Sequence, residues 1–409
     1  MLRLTRYPGL IRGSGCMDLR QARMTVTDRT VAVLPMKTYT SCLLSAIALL
    51  LWVGVAQAQD RHRSFDASPG ERLVLDLETG GEIVIRGWDQ DRVDVAVDIS
   101  GRSADDVVLD FNRGTRVIEI SSAFRSRRSR ARVDMLVHVP YQFDLDLATT
   151  GGDLVISGVT GSIEGSSMGG DLLLSELGGQ VNLSTMGGDI ELTRSKVDGS
   201  VHTMGGDVSI SDVTGIISGT TMGGDVTYEN VRADGSRSQD VVEVSSMGGD
   251  VVVDEALYGA DVHTMGGDID INRAARFVKA STMGGDIEVA ELDGWIEANT
   301  MGGDIVVNMV GGTAGDRHVN LESMGGTVEL QVPEGLSMDI EIRIRITGGA
   351  DLDAFEIISD VELAVEVENN PNRRWRSKGE VVARGRVGSG ANKVVIHTVN
   401  GNVILKQDG

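Results

Sequence analysis

The chain has 409 residues, among them 53 Gly and 16 Met, with aromatics at 4% and a formal net charge of −22. Gly without a three-residue period and only 6 Pro exclude a collagen helix, and apolar residues at 41%, alternating with polar ones over long stretches, exclude general disorder. The acidity argues against nucleic acid as the main partner, because phosphates would be repelled.

Residues 42–55 read CLLSAIALLLWVGV, with Lys37 before them and Ala56-Gln57-Ala58 after. A basic start, a short apolar run and an A-x-A site predict a secretory signal over 36–58, cleaved after Ala58. The run is short for a transmembrane helix; an uncleaved anchor is the alternative. Residues 1–35 then read as an upstream segment with a start codon placed too early. Cleavage leaves 351 residues at a net charge of −27, and removes both Cys16 and Cys42. The mature chain would thus have no disulfide, no thiolate site, no Cys nucleophile and no transmembrane segment. It would be exported, to the periplasm, the cell surface or the medium.

From residue 149 a repeat takes over. Gly-Gly recurs with its first Gly at Gly151, Gly169, Gly187, Gly205, Gly223, Gly248, Gly266, Gly284, Gly302, Gly325 and Gly348. Most steps are 18 residues; the longer ones hold insertions near 232–240 and 310–317. Met precedes the pair at Met168, Met186, Met204, Met222, Met247, Met265, Met283, Met301 and Met324. Asp follows it at Asp153, Asp171, Asp189, Asp207, Asp225, Asp250, Asp268, Asp286 and Asp304. Such a period means a repeat architecture.

Counted from each Met, positions five and three before are apolar or Gly, four before is polar, and one before is always Ser or Thr. Four after is always aliphatic, from Leu172 to Val328. Period two predicts strands. The inward parity slips by one across Gly-Gly, which predicts a corner or bulge where Gly supplies a positive φ. Each unit reads as strand, corner, short strand, loop. The fold class is all-β: a single-chain β-solenoid (β-helix) with coils of about 18 residues and β-rich caps at both ends. The divisions are 59–148 for the N-terminal β region and cap, 149–349 for the solenoid, and 350–409 for the C-terminal β region and cap. Thr79-Gly80-Gly81-Glu82 and Thr398-Val399-Asn400-Gly401 read as degenerate corners, and residues 340–346 and 361–367 as half-buried strands.

The units built around Thr-Met-Gly-Gly-Asp-Ile, with Val137-His138-Val139-Pro140 leading in, resemble the putative adhesin family of bacterial β-solenoid domains known as DUF4097. The resemblance spans about residues 70–405. It implies a solenoid fold and an adhesive role, without a shared ligand site.

Three columns carry candidate chemistry. Asp stacked at about 4.8 Å repel by roughly 0.9 kcal/mol per pair even at a water-like dielectric. Their relief is either hydrogen bonding to corner N–H groups or a shared row of Ca²⁺, with Asp171, Asp189, Asp207, Asp225, Asp250, Asp268, Asp286 and Asp304 as candidate ligands. The Met column is either an adaptable binding stripe or a corner packed under neighbouring coils. The Ser/Thr column reads as an inward ladder. Basic clusters at Arg125, Arg127, Arg128, Arg130 and Arg132, and at Arg373, Arg374, Trp375, Arg376 and Lys378, read as solvated loops or anion sites. His202 and His263 share a column but stand three coils apart, too far for one metal. No nucleotide loop and no H-E-x-x-H occurs.

These readings predict a non-enzymatic, cofactor-free protein presenting a regular face to a cell-envelope or surface component, glycan or protein. Self-assembly into a structural envelope protein and a glycan-active β-helix enzyme are the alternatives.

Overall fold

The computed structural model describes residues 61–232, 241–347, 350–351, 353–369 and 379–408. The signal segment, the corner at Gly348 and the second basic cluster lie outside the described residues, as does most of the first insertion. The chain is all-β; apart from strands, the described residues contain one 3₁₀ turn, Ala104–Asp106.

Two parallel ladders run the length of the molecule, one of strands that lead into the Gly-Gly corner and one of strands that leave it. The incoming ladder passes from Arg72–Leu77 through Asp144–Thr149, Thr160–Ser167, Gly178–Thr185 and Lys196–Thr203 and onward. The outgoing ladder passes from Ile83–Trp88 through Leu154–Ser157, Leu172–Ser175 and Ile190–Thr193. Each residue pairs with the one 18 positions on, as Leu183 with Val201 and Ile190 with Val208. The register is kept across both insertions: Gly219 still meets Val244, and Ile296 still meets Val319.

The alternation places one aliphatic column at the centre. Leu154, Leu172, Ile190, Val208, Val226, Val251, Ile269, Ile287, Ile305, Val328 and Val403 are all buried. Like side chains stack on like, so a thin cross-section fills without aromatics. Tyr228 is an exception with a local cause. It is fully buried beside Gly219, whose missing side chain leaves it room, and its hydroxyl accepts the Gly219 N–H at 2.5 Å and donates to the Ile217 carbonyl at 3.0 Å. Burial pushes its phenol well above the usual range.

The corner glycines are required for a different reason than expected. Among the described repeat corners, only Gly152 and Gly170 have positive φ. The second Gly of every described corner is instead needed for space. A Cβ on Gly188, Gly206, Gly267 or Gly303 would lie 2.0–2.2 Å from the carbonyl oxygen of the matching Gly one coil earlier. The first Gly is less confined: a Cβ on Gly151 or Gly169 would meet nothing within 4 Å.

Three further expectations change. The unit's loop is absent in two coils, where Ile269–Ser281 and Ile287–Thr300 run as unbroken strands. The strand expected at 361–367 is Ala364–Asn369, and it is not half-buried: Val365 and Val367 are 55% and 57% exposed. A hairpin ribbon with one partner strand covers neither face of that segment. Stacking order also departs from chain order. The coil after Val319–Ser323 and Val328–Pro333 is supplied by the chain's end, Asn392–Val399 and Val403–Asp408, and Met338–Ile346 lies beyond it. The degenerate corner at Gly401 therefore sits directly on Gly326, whose carbonyl a Cβ would meet at 1.9 Å.

Substitution at the two corner positions separates space from conformation. Gly206→Ala is expected to cost about 3 kcal/mol through overpacking. Gly169→Ala is expected to gain about 0.5 kcal/mol by restricting the unfolded chain. Urea unfolding followed by circular dichroism checks both.

Candidate functional site

The Gly-Gly edge carries the residues that repeat most strictly. It begins where the incoming strand ends with a Ser or Thr. That side chain points inward and is buried in every coil from Thr149 to Ser323. From Thr185 on, its hydroxyl donates to the carbonyl of the previous coil's second Gly, as Thr203 to Gly188 and Thr221 to Gly206, both at 2.8 Å. The same oxygen accepts from its own corner: Gly206 N–H reaches Thr203 Oγ1 at 3.2 Å. From Thr203 on, each hydroxyl thus ties its own corner to the one before it, whereas Thr149 and Ser167 donate to the first Gly carbonyl of their own corner.

Met comes next and points out. The nine side chains run from 38% exposed at Met247 to 61% at Met168. The backbone holds them in register, with Met186 N–H donating to Ser167 and Met204 N–H to Thr185. Successive thioethers therefore rise from Cα atoms about 4.8 Å apart, in a stripe about 38 Å long. The outward position two residues earlier is mixed, including Ser184, His202, Thr220 and Asn299. Uniformity belongs to the Met column and not to the surface as a whole.

Asp closes the corner on its other side, exposed in every repeat. Each carboxylate accepts the backbone N–H of the next coil's Asp. The chain of contacts runs Asp153 to Asp171 at 3.0 Å, Asp189 to Asp207 at 2.9 Å, Asp225 to Asp250 at 2.8 Å, and on to Asp304, which accepts from Thr327 at 2.6 Å. The Asp main-chain carbonyl in turn accepts from the preceding coil, as Leu172 N–H to Asp189. The bond crosses between coils instead of closing the residue's own turn. Charge-assisted bonds of this kind offset the repulsion between neighbours. Among the described residues, no group of three or more His, Cys, Asp or Glu is arranged to hold a metal.

The acidity reaches the outgoing strand. Burial first, then the charges of Glu288, Asp268, Asp250 and Asp286, push the Asp270 carboxyl above its ordinary 3.8. A carboxyl raised in the folded state binds more protons there than when unfolded. Its contribution to stability therefore falls as pH climbs through the raised value and recovers on acidification.

The other sequence candidates do not converge. His202 Nδ1 contacts Thr220 Oγ1 at 2.8 Å, and His263 Nε2 contacts Asp261 at 2.8 Å, each within its own neighbourhood. Arg125, Arg127, Arg128 and Arg130 lie exposed between strands Val117–Phe124 and Arg132–Pro140, while Arg132 pairs with Asp134 at 2.7 Å. Two features have no strong sequence signal. A second column of tight turns places Glu176, Arg194, Asp212 and Asn230 at positive φ, although Glu and Arg seldom adopt it. Arg317, in the second insertion, is buried and donates to Asp293 at 2.5 Å, to the Val310 carbonyl and to the Ala314 carbonyl, which staples that loop onto the stack.

No family model matches the chain, and no curated protein matches it. Solved structures do. A putative cell adhesion protein from Clostridium sporogenes is 10% identical, with a TM-score of 0.19, covering 86% of this chain and all of that one. A putative adhesin from Parabacteroides distasonis is 14% identical, with a TM-score of 0.29, over 67% of this chain and 98% of the other. A putative lipid binding protein from the same organism is 12% identical, with a TM-score of 0.28, over 66% and 96%. Likeness at these scores bears no weight for function, and the DUF4097 resemblance rests on the corner motif.

The Asp ladder makes a direct prediction. Asp207→Ala leaves the Asp225 N–H without its acceptor and is expected to cost about 1.5–3 kcal/mol. Asp207→Asn keeps an acceptor oxygen and removes a like charge, so it is expected to stay within about 0.5 kcal/mol of the parent. Melting midpoints at low and high salt check this, since screening shrinks the charge part of the difference.

Proposed function

We propose that this chain is an exported, non-enzymatic β-solenoid whose Gly-Gly edge presents a repeated surface for adhesion or scaffolding in the cell envelope. The observation that carries the reading is the register of that edge: eight coils display the same exposed Met beside the same Asp, and a ninth carries Met324 beside Thr327. A repeated, nearly uniform stripe suits contact with an extended partner, a glycan or an envelope protein, better than it suits a single reacting bond. Met adds adaptability, because its unbranched thioether re-packs against irregular surfaces. No helix among the described residues is long and apolar enough to cross a membrane.

Self-assembly is the second reading. It draws support from the acidic edge and the exposed arginine turn around Arg127, which are complementary in charge. It is opposed by the ends of the stack, where antiparallel strands or the three-residue strand Ile357–Ser359 flank the regular coils. Calcium is not required by the ladder, because each candidate Asp already spends one oxygen on a backbone N–H. Calorimetric titration with Ca²⁺ is expected to give no heat and no rise in melting temperature.

Retention of the purified protein on isolated cell-envelope fractions tests the adhesion reading. Replacing Met204, Met222 and Met247 with Glu is expected to weaken retention at least tenfold without loss of fold. Unchanged retention, or polysaccharide cleavage by the purified protein, would rule the reading out.

A further inference from the structure

An apolar stripe for adhesion does not need methionine. Leu has much the same bulk and is common in this chain, yet the column is Met at nine successive coils while the outward position two residues earlier varies freely. What Met has and Leu lacks is a donor atom. Thioether sulfur is a soft ligand that selects Cu(I) over hard cations. Residues 59–409 contain no cysteine, so thioethers are the only soft donors there.

The spacing fits the chemistry. Metal–sulfur bonds run about 2.3 Å, so two sulfurs facing each other across one ion stand about 4.6 Å apart. The coil spacing that sets adjacent Met side chains is about 4.8 Å, and three rotatable bonds per side chain absorb the difference. Backbone hydrogen bonds hold the neighbours in register, Met168 on Thr149, Met186 on Ser167 and Met204 on Thr185. The register survives both insertions, so Met222 and Met247, and Met301 and Met324, are neighbours as well. The exposed Asp column alongside lowers the local potential and concentrates cations at this edge. Its carboxylates are hard donors already bonded to backbone N–H groups.

We propose that the Met column is a binding ladder for a soft monovalent metal, Cu(I) or Ag(I), each ion bridged by the thioethers of adjacent coils. Nine methionines in a row hold up to about four bridged ions at once, one for each non-overlapping pair. The binding involves no redox step: the ion arrives and leaves in the same oxidation state. It is distinct from adhesion, because it rests on the donor sulfur and not on apolar bulk, and its readout is metal stoichiometry and not envelope retention.

Two variants of the full chain, each losing four methionines to Leu, test adjacency. Met186, Met222, Met265 and Met301→Leu leaves five methionines, none next to another. Met168, Met186, Met204 and Met222→Leu leaves five in one unbroken run. Anaerobic titration with Cu(I) against a chromophoric competitor ligand reads the stoichiometry. The parent is expected to bind about four ions, the contiguous variant about two, and the alternating variant none at the same competitor concentration. X-ray absorption of the parent complex is expected to show sulfur at about 2.3 Å. Equal binding by the two variants, or no Cu(I) binding by the parent, would overturn the proposal. Circular dichroism confirms the fold, and exposed positions make its loss unexpected.

Discussion

The second glycine of each corner lies so close to the carbonyl of its counterpart one coil earlier that no β-carbon fits between them. Everything else at this edge depends on that approach. It brings the buried Ser or Thr hydroxyl within reach of the previous coil's carbonyl. It brings each Asp carboxylate within reach of the next coil's N–H. Because both bonds run between coils, register is set at the corner and propagates along two strands at once. It is the same on either side of both insertions.

Register has a second consequence: whatever residue type occupies a position meets its own kind above and below. For the aliphatic column that is favourable, since like shapes interdigitate in a narrow core. For Ser and Thr it is favourable because a hydroxyl both donates and accepts. For Asp it is adverse, and the backbone N–H of the next coil is the compensation. For Met, stacking brings flexible, uncharged donors side by side at little electrostatic cost. The four columns thus sort by what each side chain does beside a copy of itself. Only the Met column projects unspent chemistry into solvent.

Much of this was legible in the sequence. Period two around Met, with the parity slip at Gly-Gly, gives strands, corner and inward set, and the buried Thr185 and Thr203 beside exposed Met186 and Met204 follow that parity. The acceptor of the Ser/Thr hydroxyl and the donor to each Asp were not legible as specific atoms, because they belong to neighbouring coils. Nor was the reason for Gly: a sequence suggests positive φ, whereas close approach needs the stack. The positive φ at Glu176 and Arg194 follows a shape that residue preference opposes. The placement of Asn392–Val399 between Val319–Ser323 and Met338–Ile346 is a topological choice that local pattern does not carry.

A ladder of identical coils could in principle grow without limit, since each open face is a template for the next strand. The ends of this stack oppose that growth through irregular strands and charge. At one end Arg61–Asp66 and Val107–Arg113 pair antiparallel, and at the other Ala364–Asn369 does so. On the outgoing ladder the last strand, Ile357–Ser359, is parallel but only three residues long, which leaves little edge to extend. His62, Arg63, Asp110, Arg113, Glu366 and Glu368 add charge to those outer strands. Within one chain the repeated face displays nine Met and nine Asp, and its short or charged outer strands disfavour extension by a second copy.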